Sequence, residues 1–179
     1  TTPFDVLRPH RPAGSFHPLM TFPGPELGIP DLTGVPAAID GDPRAVEVAH
    51  ALAESLGMRP IRVPGDRRLY HAAAVMAGNF ATVLLAEASR ALSAAGIDPS
   101  EAPALLAPLA LQSLRNAGER GPAATLTGPV ARGDRPTLEG HRAALAEASL
   151  DDLVELHRLL TEHAERLVAE IPVVGGVAG

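Results

Sequence analysis

Residues 66–95 run without a single proline, are rich in Ala and Leu, and carry apolar side chains on nearly every face. A helix that is apolar all round is one that needs cover, so this stretch predicts a long helix buried within a bundle, stopped by Gly96. No chain with such a segment is an all-β protein. What precedes it reads differently. Pro and Gly recur through PGPELGIPDLTGVP, which excludes regular helix there, and three short apolar runs stand between the breakers: residues 15–22 (SFHPLMTF), 35–40 (VPAAID) and 60–63 (PIRV). Between the last two, Asp42 is a good N-cap and Pro43 suits the first helical position. Val46, Ala49, Leu52, Ala53 and Leu56 form an apolar stripe, and Gly57 ends it. Strand, helix, strand is a βαβ unit of the kind found in parallel sheets covered by helices. Two or three strands make a weak sheet by themselves, and the first residue is Thr1, so further strands are expected upstream.

After Gly96 the signals are again helical. Asp98, Pro99 and Glu101 form a capping pattern for a helix to about Asn116, with Pro108 expected to kink it. A loop rich in Gly, Pro, Thr and Arg follows, with a short helical turn at 122–126. Asp134 caps a helix to about Ala148; Ser149 and Asp152 start a last one that ends before Pro172. The organisation read from this pattern is residues 1–64 as sheet, 65–172 as helical domain and 173–179 as a frayed tail.

Composition narrows the chemistry. Fifteen basic side chains against 21 acidic ones leave a formal charge of −6, which argues against nucleic acid, because phosphate binding needs a clustered surplus of cations. With no cysteine there is no disulfide, thiolate metal site or cysteine nucleophile, and with no lysine there is no Schiff-base chemistry. No uninterrupted apolar run approaches the roughly 18 residues of a membrane span, so the chain is expected to be soluble and cytoplasmic. Neither a P-loop, a GxSxG elbow nor an HExxH zinc helix is present. His157 and His163 stand in a charged stretch and read as solvated, and Asp151 with Asp152 reads as a helix-dipole pair.

The long helix holds the most informative candidates. At about 100° per residue, Arg67, Arg68, His71, Val75, Gly78, Asn79, Thr82 and Ser89 share one arc, a polar stripe on an apolar helix. Burying those groups costs a few kcal/mol unless they find partners. A ligand cleft satisfies them, and so do neighbouring carbonyls in a helix core. Gly78 leaves room for a substrate or a second backbone. His17, at a strand end before Pro18, stands where open α/β sheets bind ligands; a turn histidine bonded to its own loop is the other reading. Thr125, Thr127, Arg132 and Asp134 form a third group in a Gly-containing loop, which also reads as a capped helix connection.

Four segments, HPLMTF (17–22), AIDGD (38–42), LYHAAAVMAGNF (69–80) and LTGPVARGD (126–134), resemble in order and spacing the signature segments of a group of oxidoreductase-like proteins. These join an N-terminal Rossmann-like NADP-binding domain to a C-terminal helical domain of unknown function, and the similarity covers residues 14–148. More distantly the chain is similar to ketopantoate reductase and to the 6-phosphogluconate dehydrogenase C-terminal-like helical domains. The resemblance implies a mainly α fold: a helical bundle preceded by a βαβ remnant of a Rossmann-like sheet. It places the Gly-rich pyrophosphate turn ahead of Thr1, so that NADP is bound mainly by a domain outside this chain. It also implies a homodimer formed through the helical half.

In the ketopantoate pattern the long helix offers a lysine and, two turns later, an asparagine. His71 stands at the first position, Asn79 at the second, and Val75 where an intermediate asparagine is found. These departures count against ketopantoate itself, while His71 can still donate a proton and Asn79 orient a hydroxyl or carboxylate. Arg67, Arg68, Thr82 and Arg132 are the expected substrate contacts, His17 the expected cofactor contact through its likeness to the His-Pro step of prephenate dehydrogenases, and no metal is expected. The function implied is the substrate-binding and dimerisation part of an NADP-dependent oxidoreductase acting on a small keto acid or imine, inactive without its nucleotide-binding half. The alternatives are a non-catalytic helical interaction module and a prephenate-dehydrogenase-like enzyme.

Overall fold

The computed structural model describes residues 4–7 and 10–170. The expected tail at 173–179 lies outside them. The fold is mainly helical with a small sheet, and the chain divides into two compact units, residues 1–82 and 83–179. The boundary read from the sequence lies at 64/65.

In the first unit, β1 (Gly14–Pro18), β2 (Pro36–Gly41) and β3 (Arg59–Ile61) form one sheet in the order β1-β2-β3. The helix α1 (Pro43–Ser55) connects β2 to β3, which pair in parallel with Ala37 opposite Pro60, so the βαβ unit is present. Strand β1 runs antiparallel to β2, with His17 opposite Ala38. It is shorter than the expected 15–22 because Pro18 has no N–H to continue the ladder; only the Leu19 N–H reaches back, to the Pro36 carbonyl at 2.8 Å. As the central strand, β2 contributes the buried Ala37, Ala38 and Ile39. Ala37 packs with Ala53 of α1 and with Met58, and Phe16, Leu32 and Val35 lie against them. Asp42 occupies the N-cap of α1, but its carboxylate accepts the Ala13 N–H at 2.9 Å and Arg11 Nη1 at 2.7 Å instead of a helix amide. The expected cap therefore serves as a tie to the start of β1.

Asp66 caps α2 (Arg67–Ala77) by accepting the Arg68 N–H at 2.8 Å. Gly78, at φ −99° and ψ −71°, separates α2 from α3 (Asn79–Ala94), although the Gly78 N–H still donates to the Ala74 carbonyl and the Thr82 N–H to Gly78. The expectation that this segment is buried is corrected: Leu69 is 72%, Met76 64% and Phe80 57% exposed. Apolar periodicity states what a helix needs covered, and the described residues do not supply that cover. The expectation about spans is corrected too. By length and composition, 67–94 is apolar enough to cross a membrane, with a mean hydropathy of 1.5 in its best window and none of that window buried. Counting uninterrupted apolar residues missed this, since the window averages over Gly, Asn, Thr and Ser.

In the second unit, α4 (Ala102–Arg120), α5 (Pro122–Thr125), α6 (Gly128–Ala131), α7 (Arg135–Glu147) and α8 (Asp151–Ala169) follow the last turns of α3. Asp98 accepts from the Ser100 amide and hydroxyl in a turn ahead of α4, so the helix starts later than its capping pattern suggests, and it runs on to Arg120 with Pro108 inside. Asp134 caps α7 as expected, accepting from the Thr137 N–H at 3.3 Å and hydroxyl at 2.8 Å. Helix α8 starts at Asp151 behind Ser149, whose φ of 59° takes it out of helical geometry. Leu138 of α7 and Leu153 of α8 are buried, and Arg90 of α3 pairs with Asp152 of α8 at 2.6 Å. His157 is not solvated as expected: it is half-buried, edge-on to His141 at 5.5 Å between ring centroids, with Thr161 Oγ1 at 3.4 Å from its Nδ1.

Candidate functional site

A cavity of about 580 Å³ lies in the first unit between residues 17–21, which leave the end of β1, and one side of α2 from Tyr70 to Gly78 with Asn79 beyond. The sheet positions the first wall: His17 is held opposite Ala38 of the buried central strand. The helix supplies the second, and its cavity side is built from Ala73, Ala74, Ala77 and Gly78, small enough to leave space. A Cβ on Gly78 would stand 3.3 Å from the Ala74 carbonyl, a tight contact, and 3.8 Å from Thr21 Cγ2, an ordinary one.

The polar groups of this cavity are His17, Tyr70, His71 and Asn79. His17 Nδ1 and the Tyr70 hydroxyl are 3.0 Å apart, and their rings meet edge to face at 81°. Burial pushes the Tyr70 hydroxyl above its usual pKa, and the positive charge of Arg67 acts in the opposite sense. Burial is the larger of the two, so the phenol keeps its proton at neutral pH. His71 and Asn79 line the same cavity with exposed side chains that are not sealed among main-chain oxygens. An apolar face from Leu19, Met20 and Val75 completes the lining.

The other residues singled out in the sequence stand elsewhere. Arg67, half-buried, pairs with Asp40 Oδ2 at 3.1 Å and lines a neighbouring cavity of about 510 Å³ with Arg62 and Gly65, beside the carboxyl ends of β2 and β3. The Arg68 fork turns back to the Asp66 carboxylate at 2.6 Å, leaving its side chain 83% exposed outside the cavity lining. Thr82 returns its hydroxyl to the Gly78 carbonyl at 3.2 Å. Ser89 is buried and donates to the Leu85 carbonyl, which is the core reading of that residue. Arg132 caps the C-terminal end of α6 in the second unit, exposed, and Thr125 bonds to Gly121. Tyr70 went unnamed in the sequence reading. Its signal was its place beside His71 and one turn after Arg67, on the side that the small residues define.

Among the described residues no group of three His, Asp or Glu side chains could hold a metal. A nicotinamide ring suits the apolar lining beside His17, but a dinucleotide's phosphates do not suit the described strand-to-helix turn. At the β2 to α1 turn, Asp40 and Asp42 place carboxylates where phosphates need N–H donors.

A short sheet carrying a βαβ unit, followed by helices and with a cavity at a strand end, is the architecture of an oxidoreductase-related domain. The chain belongs to the family described as domain of unknown function DUF2520, whose pattern matches residues 35–164. No curated protein matches it. It is similar to the solved structure of a candidate NADP oxidoreductase from Bacteroides fragilis, with a TM-score of 0.73 and 25% identity over 92% of this chain and 62% of that one. It is also similar to a Thermotoga maritima protein, with a TM-score of 0.69 and 25% identity over 87% of this chain and 61% of that one. The chain thus spans less than two thirds of the length of either.

Proposed function

We propose that this chain is the substrate-binding and dimerisation part of a cytoplasmic NADP-dependent oxidoreductase acting on a small keto acid or imine. The observation that carries the reading is the convergence of His17, His71 and Asn79, with Tyr70, on one cavity at the end of β1, in a chain similar to a candidate NADP oxidoreductase. When bound, reduced nicotinamide supplies a hydride. The residues of this chain then have three tasks. Asn79 orients the hydroxyl or carboxylate next to the reacting carbon, His71 donates to the same group, and the wall of Leu19, Met20 and Val75 excludes water from the reacting face. Arg62, beside the Arg67–Asp40 pair around the adjoining cavity, brings positive charge towards an anionic substrate.

Cytoplasmic placement is supported by the polar groups that 67–94 carries at its cavity, which are costly against lipid. The exposed side of α2 opposite the cavity, with Leu69 and Met76, together with Phe80 at the start of α3, is the surface assigned to a second copy of the chain.

The test uses the intact protein with its nucleotide-binding half. NADPH absorbance is followed with pyruvate, 2-ketobutyrate, 2-ketoisovalerate and a cyclic imine, and NADPH affinity is measured by fluorescence. At least one substrate is turned over, and His71→Ala and Asn79→Ala each raise KM or lower kcat by about tenfold or more with the fold unchanged. Absence of both NADPH binding and NADPH oxidation with every one of these compounds would retire the enzyme reading in favour of an interaction module.

A further inference from the structure

In the first unit a phenol and an imidazole lining the cavity are bonded to each other there, the only such side-chain pair among its described residues, and they come from segments 53 residues apart in sequence. We propose that the Tyr70 hydroxyl is the group that protonates the substrate oxygen, with His17 Nδ1–H positioning it and restoring its proton. This rests on the oxidoreductase reading above and names the acid within it.

A proton donor must border the cavity, carry its proton at neutral pH and have a partner that replaces what it gives away. Tyr70 meets the first condition through its place on the cavity side of α2. Half-buried, and pushed up by that burial, it meets the second. The 3.0 Å contact with His17 meets the third, because a phenol oxygen that accepts from Nδ1–H has its own hydrogen free to point into the cavity. His71 borders the same space but has no such partner among the described residues. His71 therefore binds, and the acid is its neighbour in sequence.

Reduced nicotinamide, when bound, would supply two electrons and a proton as hydride to the carbonyl carbon. The C=O π pair moves to oxygen, and that oxygen forms its O–H bond as the Tyr70 O–H bond breaks. As the tyrosinate takes the Nδ1 proton of His17, the other ring nitrogen takes a proton from solvent, so the imidazole stays neutral and one solvent proton is consumed per turnover. The product is the alcohol, and a solvent proton is the remaining reactant.

The test has one arm with turnover and one without. In the intact protein with NADPH and whichever keto acid it reduces, Tyr70→Phe lowers kcat by about a hundredfold or more while KM moves less than about threefold, and His71→Gln moves mainly KM. Tyr70→Phe retaining more than about a third of the wild-type kcat would overturn the proposal. The second arm needs no turnover. In the chain itself, with labelled Tyr and His, oxamate as a keto-acid mimic shifts the Tyr70 and His17 signals together and saturably, the His17 Nδ1 signal reports a bound proton, and Tyr70→Phe changes that Nδ1 signal. Signals that oxamate leaves unmoved, or a His17 proton found only on Nε2, also overturn it. If oxamate shifts both signals while the intact protein reduces none of the keto acids, the oxidoreductase reading fails, and the proton-donor role falls with it.

Discussion

Gly41 offers a direct test of how the sheet holds the cavity together. Its φ is +132°, and a Cβ there would stand 2.4 Å from Gly14 Cα, the first residue of the paired strand, and 2.5 Å from the carbonyl of Ala13 just before it. Gly41→Ala therefore meets two costs: about 1–2 kcal/mol for a side chain at positive φ, and about 1–3 kcal/mol for forcing apart a packed strand pair. Gly34 is the control, because it too has positive φ, +74°, but nothing lies within 4 Å of its Cβ position. Gly34→Ala should lose only the first amount. The two variants are then separated by about 1–3 kcal/mol, or roughly 2–4 °C of Tm for each kcal/mol in a chain of this size. Urea and thermal unfolding, followed by circular dichroism, measure the difference. Because β1 carries His17, Gly41→Ala should also shift the His17 signal while Gly34→Ala leaves it in place. Equal stability loss in the two variants would show that the close approach of β1 and β2 at this point is not what the geometry says.

Two further outcomes are expected. Burial, reinforced by the charges of His141 and Arg142, holds the His157 imidazole below its usual pKa of 6.5. The neutral form is therefore the stabilising one, fully present above that value and lost as pH falls through the lower folded value. Tm should drop from about pH 7.5 to about pH 5 more steeply in the wild type than in His157→Gln, and identical slopes would remove His157 as the cause. On the exposed face of α2 and α3, Met76→Glu or Phe80→Glu should weaken self-association by about tenfold or more with helicity unchanged, as read by light scattering against concentration; an unaltered mass would place the second copy elsewhere.

The local rules of chain chemistry carried much of this fold in plain view. Asp42 with Pro43, Asp66 and Asp134 each mark a helix start that the structure contains, and the alternation of breakers with short apolar runs located β2 and β3. What escaped was tertiary. That β1 pairs antiparallel depends on which strand lies beside it, not on its own residues. The Asp98 pattern has a cap's composition, yet its carboxylate spends itself on Ser100 one turn too early. For the cavity, the polar arc on 67–89 pointed to His71 and Asn79 but was drawn around polar residues, whereas the space itself is centred on Ala74 and Gly78. That offset explains why Arg68 and Thr82 fall outside it and why Tyr70, on the other flank, was overlooked. Exposure of Leu69, Met76 and Phe80 could not be read at all, because periodicity is blind to what covers a face.

The contact between His17 and Tyr70 is also a statement about order of assembly. One partner is fixed by the outer strand, the other by a helix reached only after the crossover and its return strand are in place. A polypeptide trimmed behind Pro18 could keep every one of its helices and give a nearly normal helical spectrum, yet it would have lost an imidazole and part of one side of its pocket. For this molecule, helicity is a poor witness to competence, and a ring-to-ring signal between these two side chains is a good one.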